Sequence, residues 1–62
     1  MSEWFVQYQG GKGYIPAREI SDTEYETFGG YVKDRGVCEQ TVNGLNGGMW
    51  KNARTEKHTR SV

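Results

Sequence analysis

The aliphatic residues that usually build a core are scarce in this 62-residue chain: one leucine, Leu45, and two isoleucines, Ile15 and Ile20. Cys38 is the only cysteine, which excludes an internal disulfide and leaves too few thiolates for a structural zinc site. The expected setting is therefore reducing and cytoplasmic. The longest apolar run is Trp4-Phe5-Val6, and Met1-Ser2-Glu3 carries no basic region, so neither a membrane span nor a signal peptide is expected. There is no excess of either charge, with 8 Lys and Arg against 8 Asp and Glu. The length allows one domain, near the lower limit for folding without staples.

Aromatic residues fill the gap: Trp4, Phe5, Tyr8, Tyr14, Tyr25, Phe28, Tyr31 and Trp50. Each brings roughly 150–250 Å² of surface to bury, more in total than so small an interior encloses. The charges are also unevenly placed. Residues 1–50 hold seven acids against four bases, a balance of minus three, and residues 51–62 hold four bases against one acid, a balance of plus three. A mildly acidic body with a basic tail argues against a dedicated nucleic-acid binder, whose affinity rests mainly on phosphate neutralisation.

Alternation over Trp4-Phe5-Val6-Gln7-Tyr8-Gln9 predicts a strand with Trp4, Val6 and Tyr8 on one face. Gly10-Gly11-Lys12-Gly13 supplies a turn, and Tyr14 to Ile20 a second strand closing a hairpin. Pro16 has no amide hydrogen, which places this strand at an edge or ends it early. Ser21-Asp22-Thr23-Glu24 fits the capping box of a helix start, with Tyr25, Phe28 and Val32 as the buried stripe and Gly36 as the stop. Gly29-Gly30 inside such a helix costs about 1 kcal/mol per residue relative to alanine and demands a close neighbour or a break. Val37 to Val42 then predicts a strand, Asn43 to Gly48 a turn with two Asn-Gly steps, and Met49 to Ala53 a returning strand. The expected fold is α+β, a small single domain of order ββαββ with an antiparallel sheet packed on one helix. It spans residues 1–53, and residues 54–62 form a basic, flexible tail.

Catalytic constellations are sparse. His58, the only histidine, falls in the tail, away from Cys38 and from any rigid support. Gly10-Gly11-Lys12-Gly13 lacks the Lys-Ser/Thr step and following helix of a phosphate-binding loop, and reads as a hairpin turn. Asp22, Glu24 and Glu26 serve capping and solvation, although an acidic helix end beside exposed rings also suits a basic partner. No catalytic residue, metal ligand or cofactor is expected.

Two partial resemblances remain. Glu3-Trp4-Phe5-Val6-Gln7-Tyr8 followed by Gly13-Tyr14-Ile15-Pro16-Ala17-Arg18-Glu19-Ile20 resembles the closing third of an SH3 domain, over less than a third of this chain. That resemblance implies binding of proline-rich peptides through Trp4, Tyr14 and Pro16. A helix followed by Asn46-Gly47-Gly48-Met49-Trp50 and basic residues is similar to the recognition helix and wing of winged-helix proteins, which implies a nucleic-acid partner.

Interface energy concentrates in Trp, Tyr and Arg. The expectation is thus a small non-catalytic regulator or inhibitor of a larger protein, of the kind common in phages and mobile elements, with Trp4, Tyr14, Tyr31 and Trp50 as contacts. The alternative is a nucleic-acid-binding regulator using Lys51, Arg54, Lys57 and Arg60, which recur every third residue along the tail. A third possibility is a self-assembling subunit or homodimer that buries between copies what one copy leaves exposed.

Overall fold

The computed structural model describes residues 3–50 and 54–60. Four strands, β1 (Phe5–Tyr8), β2 (Tyr14–Glu19), β3 (Glu24–Phe28) and β4 (Thr55–Thr59), form one antiparallel sheet in the order β1-β2-β3-β4. One helix, α1 (Arg35–Asn46), lies between β3 and β4 in sequence and packs across β1 and β2. The α+β class, the single antiparallel sheet and the one covering helix agree with the sequence-based expectation. Along the chain, however, the helix comes one element later, giving βββαβ.

The first hairpin forms where alternation placed it, with Tyr8 opposite Tyr14 and Phe5 opposite Ala17. A single 3₁₀ turn at Gly10–Lys12 closes it. β2 is an interior strand despite Pro16. Its ladder with β3 runs from Glu19↔Tyr25 to Ala17↔Thr27 and resumes only at the Tyr14↔Val32 bridge. Pro16 falls in that interruption, where its missing N–H leaves no ladder bond unmade. The bulge lies on the other side of the gap, at Gly29 and Gly30, and Gly29 takes φ +73° to make it. This accounts for Gly29.

The capping-box serine makes the contacts expected of it, since Ser21 Oγ accepts from the amides of Thr23 and Glu24 at 3.4 and 3.2 Å. No helix follows. The amides of Ile20 and Ser21 both donate to the Glu24 carbonyl, which folds the segment into a turn and sends residues 24–28 back along β2. Alternation then places Tyr25 and Thr27 on one face and Glu26 and Phe28 on the other.

The expected strand at 37–42 is instead the body of α1. Asp34 caps it by accepting from the Gly36 amide at 2.8 Å. Cys38, Val42 and Leu45, at i, i+4 and i+7, face the sheet. The Asn43–Gly48 stretch is the last turn of α1 and its exit rather than a hairpin. Gly44 is tolerated inside the helix because the Trp50 ring occupies the place of a side chain: a Cβ there would lie 2.6 Å from Trp50 Cζ3. Met49 and Trp50 are not in a strand, and residues 51–53 of the expected returning strand lie outside the described residues. The tail expected to be flexible carries β4, paired with β3 from Phe28↔Thr55 to Glu24↔Thr59.

Trp4, Cys38 and Val42 form the centre of the core, with Val6, Tyr14, Phe28, Val32 and Leu45 packed around them. Ile15 and Ala17 are buried on the opposite face of the sheet, between Phe5 and Gln7 of β1 and Thr27 of β3.

Candidate functional site

At the end of the sheet formed by the β1–β2 turn and the β3–α1 connection, three tyrosines lie with two lysines. Tyr8 is 66 % exposed and leans on Tyr14, ring centroids 5.2 Å apart. Tyr14 exchanges both backbone hydrogen bonds with Val32, at 2.7 and 2.9 Å, which brings the neighbouring Tyr31 to the same end. Tyr31 is 44 % exposed, with the Lys12 ammonium 5.6 Å from its ring centroid, within range of a cation–π attraction. Lys33 donates to the Gly11 carbonyl and ties the two loops together. Two of the turn's amides are spent internally, Lys12 N–H on Gln9 and Gly13 N–H on Gly10, and a strand rather than the helix of a phosphate-binding loop follows.

The other expected contacts are placed differently. Trp4 is 8 % exposed and belongs to the core, where the Arg18 guanidinium stacks on its ring at 5.0 Å. It is not available as a docking residue. The proline-peptide surface implied by the SH3 resemblance is likewise absent, because Pro16 is buried together with Trp4. Trp50 keeps an exposed edge but lies on Phe28, centroids 5.4 Å apart. Tyr8, missed as a contact in the sequence, shares its alternation with the buried Trp4 and Val6. Its position at the end of β1, next to the turn, is the signal that separates it from them.

Two charged clusters hold the sheet together. On the helix-facing side Arg18 donates to Glu26 Oε2 with both Nε, at 2.7 Å, and Nη2, while Thr55 donates to Oε1 at 2.7 Å. Burial alone would raise the Glu26 carboxyl. The Thr55 and Arg18 bonds outweigh it and hold the group below the ordinary carboxylate value. On the other face Arg60 forms a two-pronged pair with Glu19, at 2.9 and 2.8 Å, and covers the Tyr25 ring. Its bond depresses the Glu19 carboxyl and raises the Arg60 guanidinium. His58 stacks on Tyr25 at 4.9 Å and shares a 2.9 Å hydrogen bond with Thr27 Oγ1.

Of the tail cations, Arg60 is therefore matched by a carboxylate and Lys57 stands opposite Glu26 in the ladder. Arg54 is exposed beside a shallow depression lined by Thr27, Gly29, Thr55 and Glu56. Lys51 lies outside the described residues. Residues 55–59 are extended, so Lys57 stands on a strand of the sheet. Among the described residues no three His, Cys, Asp or Glu side chains converge to hold a metal ion, and no helix is long and apolar enough to cross a membrane. Cys38 is 1 % exposed in the core while His58 lies on the far face of the sheet. Burial, then the Glu39 carboxylate, raises the thiol above its usual value.

Comparison with known proteins finds no matching family model, no matching curated protein and no matching solved structure.

Proposed function

We propose that this chain is a small non-catalytic binding protein that docks on a larger protein and modulates or blocks it, in a reducing compartment. Its anchors are Tyr8 and Tyr31, supported by Tyr14 and Lys12. One observation carries the reading: two tyrosines stay substantially exposed at one end of the sheet, each held by a neighbour, Tyr14 or Lys12. Tyrosines held in this way bind with little loss of side-chain entropy and offer both ring area and a hydroxyl. The exposed edge of Trp50 is a further contact. A nucleic-acid role has less support, since Lys57 and Arg60 face carboxylates.

Alanine substitution tests the reading. Tyr8→Ala and Tyr31→Ala, each folded by circular dichroism, are expected to lower capture of the partner from host lysate at least about tenfold, the scale of an interface anchor worth over 1 kcal/mol. Capture unchanged in the double variant overturns it.

A further inference from the structure

The free edge of β1 has a self-complementary pattern of hydrogen-bonding groups. Tyr14 spends its N–H and C=O on Val32, on the β3 side. Alternation then turns Ile15 and Ala17 toward β1, where they meet Gln7 and Phe5. The backbone groups of Val6 and Tyr8 consequently point away from the sheet. Trp4 has the same parity, and its outward groups are already occupied: its N–H donates to Asn46 Oδ1 at 2.8 Å, and Asn46 Nδ2 donates to its carbonyl at 3.1 Å. Among the described residues the edge is closed at Trp4 and open at Val6 and Tyr8.

A second observation lies between those two residues. The side-chain Oε1 of Gln7 is buried and has no hydrogen-bond partner among the described residues. Buried polar atoms are seldom left in that state, and each one calls for an explanation. In addition, no charge or proline guards β1, whose sequence is Phe-Val-Gln-Tyr. The opposite edge, β4, carries Glu56, Lys57 and His58, residues of the kind that discourage strand addition.

We infer that a second copy of this chain pairs with the first through β1, antiparallel and edge to edge, about a two-fold axis at Gln7. In this register Val6 of each copy exchanges both backbone hydrogen bonds with Tyr8 of the other. A register centred on Val6 would set Trp4 against Tyr8 and displace Asn46. One centred on Tyr8 would carry Val6 past the end of the opposing strand. The Gln7 axis alone uses both open residues and leaves the Asn46 clamp intact. It also brings the two Gln7 side chains together as a non-hydrogen-bonded pair, the closer of the two antiparallel spacings, where each amide, once turned out toward the axis, has an N–H to give the other's Oε1. The two sheets become continuous, with both helices on the same side.

Sedimentation of the full chain from micromolar to millimolar concentration tests this. The mass is expected to rise towards that of a dimer. Because position 7 meets itself, Gln7→Glu and Gln7→Lys should each weaken association roughly tenfold or more, and an equimolar mixture of the two should restore it. In a chemically synthesised chain, N-methylation of Val6 removes one outward donor while keeping the side chain, and should leave a folded monomer. A wild-type chain that stays monomeric at millimolar concentration overturns the proposal and leaves this edge to a strand from another protein. Association of Gln7→Glu as strong as wild type, a mixture no stronger than its components, or a dimeric N-methyl chain also overturns it.

Discussion

Asn46 makes with one side chain the two bonds that a neighbouring strand would make to Trp4. Removing them in Asn46→Ala is expected to cost about 1–3 kcal/mol, read as a lower denaturant midpoint at unchanged slope. Asn46→Asp should cost at least as much at neutral pH, since a carboxylate has nothing to donate to the Trp4 carbonyl. Glu26 gives a pH signature. Its folded carboxyl lies below the ordinary value of 4.5, so its contribution is complete above that pH and is lost as pH falls through the folded value. Chemical denaturation from pH 7 downwards should show stability declining below about pH 4.5, with a flatter profile in Glu26→Gln. Cys38, buried and with its thiol raised, should react with disulfide reagents only as fast as the core opens.

Elements show what the sequence disclosed and what it hid. The first hairpin was legible because alternation, a glycine turn and β-forming side chains all agree over Trp4 to Glu19. The second half was not. Ser21 to Glu24 carries a helix-start signature whose hydrogen bonds form in a β-turn as well, and only pairing with β2 decides between the two. The helix at Arg35–Asn46 was concealed by its glycines, because the ring that compensates for Gly44 comes from Trp50, beyond the helix end. The same distance hid the site: Tyr8 and Tyr31 become neighbours of Tyr14 and Lys12 only once the sheet exists. Gly44→Ala sets a helix-propensity gain of about 1 kcal/mol against eviction of the Trp50 ring. The indole Nε1–H resonance of Trp50 should shift markedly, whichever way stability moves. β4 is an integral strand, so truncation after Arg54 should abolish cooperative unfolding. A dispensable tail would leave the transition intact.

At the scale of the whole molecule, equal numbers of cations and anions leave no net field to attract a polyanion. Partner capture through Tyr8 and Tyr31 should therefore survive a rise to about 0.5 M salt, where phosphate contacts would be lost steeply. The placement of α1 between β3 and β4 bears on assembly in time. β1, β2 and β3 are joined by short turns, whereas the last strand must wait for residues 29–54 to be traversed before it meets Phe28. Closing so long a loop is entropically slow compared with the preceding hairpins. A nascent chain would thus expose the outer edge of β3 until Thr59 has left the ribosome. Stopped-flow refolding should accordingly place substitutions in β4 late, with φ-values near zero, and those in the first hairpin early.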